Sequence, residues 1–194
     1  MSVTIKPGIG HLDGVYSKFV YITVPFWNTM NITPNILTTF GLISSIACVY
    51  FVYRRNAVLS ILFLLLRMYF DYADGITARR YNQTSEIGDW YDHIVDMFFF
   101  FIPLVIVLSM TDNKWMYIIP VLIFATTTVI GLGCIEKLYE EKTGEGGKSL
   151  QIPRKLCFAP KVFQWLDNSV LYIVIIIVII VLCSKENNLR KMSH

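Results

Sequence analysis

"FDYADGITARRYNQTSEIGDWYDHIVD", residues 70–96, carries six of the chain's fourteen acidic residues: Asp71, Asp74, Glu86, Asp89, Asp92 and Asp96. It is flanked by "LSILFLLL" and "MFFFFIPLVIVL", two strongly apolar runs. Asp71, Asp74, Gly75 and Ala78 recur at i, i+3, i+4 and i+7, so they share one face of a helix. Gly88, Asp92 and Asp96 recur at i, i+4 and i+8 and share a face of the next. The link "RRYNQTSE" is short, which predicts antiparallel neighbours whose acidic faces meet at one end of a bundle. Four carboxylates converging there require a counter-charge or bound protons. Hard divalent cations, Mg²⁺ or Mn²⁺, supply it through carboxylate oxygens and share their remaining positions with phosphates.

The rest of the 194 residues places that stretch in a membrane. Hydrophobic residues make up 55% and charged residues 16%, well below the roughly 25% charge of soluble domains. Apolar runs at Ile36–Tyr53, Ala57–Phe70, Ile94–Met110, Trp115–Ile135 and Ser169–Cys183 predict an all-α integral membrane helix bundle of five to six transmembrane helices. Lys155–Asp167 is the weaker candidate for a sixth element. The chain reads as one domain, residues 1–194, with a polar loop at 137–165 and a polar tail at 186–194. Gly144, Gly146 and Gly147 are expected to keep the loop irregular.

Residues 1–35 lack a compact apolar core and do not resemble a cleaved signal. "VYSKFVYITVPFWNTM" reads as an interfacial amphipathic segment or as an ordered loop over the bundle. Cys48, Cys134, Cys157 and Cys183 have neither pairing nor metal-ligand spacing and are expected to be small apolar residues. With five spans, ten Lys and Arg fall on the side of the acidic stretch and six on the other. That bias predicts a multi-pass protein with its acidic site facing the cytoplasm. No feature points to nucleic acid.

Simpler readings compete at some positions. Glu86 and Asp89 serve equally well as acids answering a helix dipole, and Asn35 as a cap before "ILTTF". Arg67, one turn before Asp71 in an apolar run, is expected to pair with that carboxylate, because an unpaired Arg there is costly. A divalent-cation carrier would use the same acids, but near the bilayer midplane between broken helices.

The stretch is similar to the motif of the CDP-alcohol phosphotransferases (CDP-alcohol phosphatidyltransferases), D-x-x-D-G-x-x-A-R, eight residues, G-x-x-x-D-x-x-x-D. Asp71, Asp74, Gly75, Ala78, Arg79, Gly88, Asp92 and Asp96 fill all eight fixed positions. Upstream, "TPNILTTFGLIS" resembles the P-N-x-x-T opening of the family's first helix. The resemblance implies a membrane enzyme of phospholipid synthesis. In it an alcohol hydroxyl attacks the β-phosphorus of a CDP-linked donor bound on two divalent ions, and CMP leaves. It further implies Asp71, Asp74, Asp92 and Asp96 as metal ligands, Asp96 also as general base, and a homodimer with one site per protomer. Gly75, Ala78 and Gly88 would line the cytidine pocket, with Arg79 and Asn35 on phosphate. The family's work in phospholipid synthesis is compatible with the endoplasmic reticulum or the plasma membrane.

Two features bear on the branch. "GDWYDH" is similar to the G-E-L-F-D-H of choline and ethanolamine phosphotransferases, which implies that His93 and Asp89 assist the hydroxyl of diacylglycerol. "ARRYNQTS" is similar to the A-R-x-x-N-Q-x-S of the inositol-phosphate transferring branch, which uses CDP-diacylglycerol. The short chain also suits the second branch, and CDP-diacylglycerol with an inositol-like acceptor is favoured.

Overall fold

The computed structural model describes residues 11–109, 114–144, 150–163, 172–177, 179–180 and 183. These form helices and turns with no strand. In chain order they are α1 (His11–Thr29), α2 (Pro34–Tyr53), α3 (Ala57–Arg80), α4 (Glu86–Ser109), α5 (Lys114–Thr143), α6 (Gln151–Lys155) and α7 (Pro160–Phe163). Residues 172–177 and 179–180 are also helical.

Local chemistry explains the boundaries. Thr33 is extended and Pro34 takes the first turn of α2, where its fixed φ suits a helix and its missing N–H costs nothing. Asn56 caps α3 by accepting from the Leu59 N–H at 3.1 Å. At the far end of α3 the Tyr81 N–H reaches Thr77 O at 3.1 Å and the Gln83 N–H reaches Ala78 O at 2.8 Å. Asn82, with φ of 54°, then turns the chain through the left-handed region that Asn tolerates. Glu86 and Asp89 fall in the first turn of α4, where their charge meets the positive end of the dipole. The result is two antiparallel helices, α3 and α4, joined at their polar ends.

Two apolar clusters hold the bundle. Leu64, Met68, Cys48, Phe99, Tyr172, Ile179 and Cys183 form one, joining α2, α3 and α4 to the C-terminal helical residues. Val20, Val24, Leu37, Ala73 and Ile76 form the other, joining α1, α2 and α3. Polar contacts fix the angle of α1. Trp27 Nε1 donates to the Tyr69 hydroxyl at 2.8 Å, and that hydroxyl donates to Thr23 Oγ1 at 2.7 Å. Arg80 donates to the Tyr21 carbonyl at 2.9 Å and covers the Tyr21 ring at 4.1 Å. The N-terminal segment is thus an ordered helix, with Val15, Phe19, Ile22 and Phe26 exposed along its outer side.

Large apolar side chains also face outward on the other helices, including Ile43, Ile46 and Tyr50 on α2 and Leu62 and Leu65 on α3. Among the described residues one helix, Pro34–Tyr53, is long and apolar enough by itself to cross a membrane.

Two expectations are corrected. Cys134 and Cys157 form a disulfide, while Cys48 and Cys183 are free and buried. The partners lie 23 residues apart and meet only because α6 returns onto α5. Nothing in their spacing announces this. The polar stretch 137–165 is also largely helical where described: α5 continues to Thr143, and α6 and α7 follow. Glycines on α5 make the seat. At Gly133 a Cβ would overlap the backbone of Pro153, and at Gly131 it would come within 2.9 Å of the Phe163 ring. Lys155–Asp167, where described, holds the last residue of α6 and the helical residues Pro160–Phe163. Residues 1–10, 164–170 and the tail 186–194 lie outside the described residues.

Candidate active site

After the turn at 81–85, α2 packs against both α3 and α4, so that the end of α3 and the start of α4 face each other across a gap. One cleft of about 280 Å³ opens there. Its walls include Asn35, Asp71, Asp74, Gly75, Ala78, Arg79, Gly88, Asp89, Asp92, His93 and Asp96, while Glu86 and Arg67 are not among its lining residues. The two spacing patterns converge as the short link requires.

The acids do not form one equivalent quartet. One oxygen each from Asp71, Asp92 and Asp96 lies within 4.8 Å of the others. Oxygens alone, at that separation, match what a hard divalent cation accepts, so the donor set fits the metal that the spacing predicts. Asp74 is set deeper, 4% exposed. Its Oδ2 accepts from the Thr38 hydroxyl at 2.6 Å. Thr38 comes from α2, from the "PNILT" that opens that helix, so this segment reaches the acids directly. Replacing Thr38 with the near-isosteric Val would leave a buried carboxylate oxygen without its donor. Thr38→Val is expected to cost about 1–3 kcal/mol, read as a lower midpoint of thermal unfolding in detergent. An unchanged midpoint would show that the bond carries no stability.

Arg67 sits behind the cluster, 2% exposed. Its Nη1 lies 3.0 Å from Asp71 Oδ1, and its Nη2 pairs with Asp96 Oδ1. The pairing with Asp71 follows from an i,i+4 spacing. The pairing with Asp96, 29 residues away, depends on α2 holding α4 opposite α3. Phe99 lies under the guanidinium at 5.3 Å.

The opposite wall is built for close approach. The Arg79 guanidinium folds back over Gly75, where a Cβ would come within 3.1 Å of it. At Gly88 a Cβ would sit 3.0 Å from Asn35 Oδ1 and 2.9 Å from Ser85 Oγ. Ser85 Oγ also accepts from the Gly88 N–H at 3.0 Å. Small residues therefore keep this wall low where Asn35 and Arg79 reach in. Buried Glu136 of α5 joins the lining. Sequence reading missed it, and "GCIEKL" in an amphipathic helix end offers no signal for it.

His93 lies on the same cleft. Its Nδ1 is 2.7 Å from the Asp89 carbonyl oxygen and 3.7 Å from Asp89 Oδ1. A carbonyl only accepts, so Nδ1 is the donor in this contact.

The family model for CDP-alcohol phosphatidyltransferase matches residues 31–186, which includes all of these walls. The chain belongs to that family. The chain is 37% identical over 87 residues, 45% of its length, to an uncharacterised protein of Aquifex aeolicus (strain VF5), covering 44% of that protein. It is 36% identical over 75 residues, 39% of its length, to the CDP-diacylglycerol–glycerol-3-phosphate 3-phosphatidyltransferase of the same organism, covering 42% of it. The chain thus spans less than half the length of these curated relatives. No solved structure matches. A CDP-alcohol phosphatidyltransferase is a transferase of phospholipid synthesis, and the acidic cluster agrees with the metal dependence general to such enzymes.

Proposed function

We propose that this chain transfers a phosphatidyl group from CDP-diacylglycerol to a water-soluble alcohol, releasing CMP. The observation that carries the reading is the meeting of Asp71, Asp92 and Asp96 within 4.8 Å, in one cleft with Asp74, Gly75 and Arg79. Asp71, Asp74, Asp92 and Asp96 would hold two Mg²⁺ or Mn²⁺ ions, which when bound supply charge neutralisation for a pyrophosphate and its departing CMP.

The chain's own groups do the rest. Arg79 presents its planar fork to phosphate oxygens, and Asn35 adds a neutral amide beside Gly88. The low wall of Gly75, Ala78 and Gly88 admits the flat cytidine against the backbone. Asp96 takes the proton of the acceptor hydroxyl. That oxygen bonds to the β-phosphorus, the bond from phosphorus to the CMP oxygen breaks, and CMP carries away the electron pair.

CDP-diacylglycerol is the favoured donor on two grounds. The "NQTS" turn resembles the inositol-phosphate branch, and one relative is named for this donor with glycerol 3-phosphate. Inositol-like alcohols and glycerol 3-phosphate are the acceptors to test first. His93 supports the second reading, a choline or ethanolamine phosphotransferase acting on diacylglycerol, because its ring lines the cleft beside Asp89.

The outward apolar faces support a multi-pass bundle of five to six spans, with α1 along the interface and the cleft at the cytoplasmic end. A homodimer, one cleft per protomer, completes the proposal. The deciding experiment is an acceptor screen. Purified protein receives labelled CDP-diacylglycerol, CDP-choline or CDP-ethanolamine with candidate alcohols, and CMP release is followed. CMP release only with CDP-choline or CDP-ethanolamine and diacylglycerol would overturn the favoured donor. Release from none of them would overturn the enzyme reading.

A further inference from the structure

Arg67 stands out because it brings a fixed cation to two of the three carboxylates that a metal would use. Its two Nη atoms are on Asp71 Oδ1 and Asp96 Oδ1, and Asp71, Asp92 and Asp96 are the three carboxylates that meet. It cannot readily leave. Gly41 of α2 backs its Cδ and Nη1, a Cβ there falling 4.0 Å from each. Phe99 backs the guanidinium plane, and its Nε is buried without a hydrogen-bond partner. The side chain is aimed at the two carboxylates.

We propose that Arg67 is a built-in competitor for one of the two ion positions, so that this chain loads its divalent ions unequally. The inference rests on the metal-dependent reading of the cleft. Arg67 aligns Asp71 and Asp96 before any ion arrives, and its positive charge then opposes the ion that shares their oxygens. An ion held mainly by Asp92 and Asp74 would meet less opposition, because both Nη atoms are on Asp71 and Asp96. The weaker ion is then expected to settle together with an anionic pyrophosphate, which offsets the repulsion. Arg67 acts here as a positioning residue, through the carboxylates rather than on the substrate.

The test is Mn²⁺ binding to the purified, nucleotide-free protein in detergent, counted by electron paramagnetic resonance. Wild type is expected to show one tight ion and a second at least about tenfold weaker. Arg67→Gln should tighten the second ion by about tenfold or more, while lowering the unfolding midpoint of the ion-free protein. Arg67→Lys keeps the charge and should leave the second ion weak. Two equally tight ions in wild type would overturn the proposal, even if Arg67→Gln fails to fold. So would a folded Arg67→Gln that binds the second ion no more tightly. Absence of any Mn²⁺ binding in wild type would instead overturn the metal-dependent reading itself.

Discussion

CMP release by the purified protein should stop in EDTA and return with Mg²⁺ or Mn²⁺, and Asp71→Asn and Asp92→Asn should each reduce it by about 10³-fold or more. The size follows from the arrangement. Removing one of three carboxylates that lie within 4.8 Å of one another takes away a ligand and a unit of negative charge together. A loss of several kcal/mol of charge stabilisation corresponds to about a thousandfold in rate at 1.36 kcal/mol per decade. The substitution is nearly isosteric, and both side chains are only partly buried. Size-exclusion profiles and helical content should therefore match wild type. Full activity in EDTA would end the two-ion reading, and a folded Asp92→Asn with near-normal turnover would remove Asp92 from the ligand set.

The second large effect separates the base from the histidine. Asp96→Asn should lower kcat by roughly 10²–10⁴-fold, the range for a positioned general base. If the donor is CDP-diacylglycerol, Asp96 suffices and His93→Ala should cost little beyond a helix-face hydrogen bond to the Asp89 carbonyl, about 1 kcal/mol. If diacylglycerol is the acceptor, His93→Ala should lower kcat by about 10²-fold with donor binding hardly changed. The two variants are measured side by side on CDP-diacylglycerol and on CDP-choline. A wild-type kcat for His93→Ala on CDP-choline would dismiss the assisting role, and an active Asp96→Asn would dismiss Asp96 as base.

Much of the site was legible because helices are periodic. Asp71, Asp74, Gly75 and Ala78 recur at helical spacing, as do Gly88, Asp92 and Asp96, and a short turn lets the two faces meet. The family resemblance rests on these seven positions and Arg79, so the sequence named many, though not all, of the residues that line the cleft. The apolar runs likewise marked where α2 to α5 would form. The polar ends of α3 and α4 were legible as helix ends because their acids keep the same period as the apolar residues before and after them.

What the linear pattern cannot encode is the approach of one helix to another. That Thr38 of α2 donates to Asp74 of α3, or that Arg67 of α3 reaches Asp96 of α4, depends on interhelical packing with no fixed sequence interval. The Cys134–Cys157 bond has the same origin, since it requires α6 to lie on the glycines of α5. The inequality of the four aspartates is also tertiary: Asp74 is drawn to a hydroxyl while Asp71, Asp92 and Asp96 face one another. Composition and period determined that acids would line one end of a helical bundle. Packing decided which of them meet, and placed an arginine among them, because a buried carboxylate's partners are set by distance in space rather than along the chain.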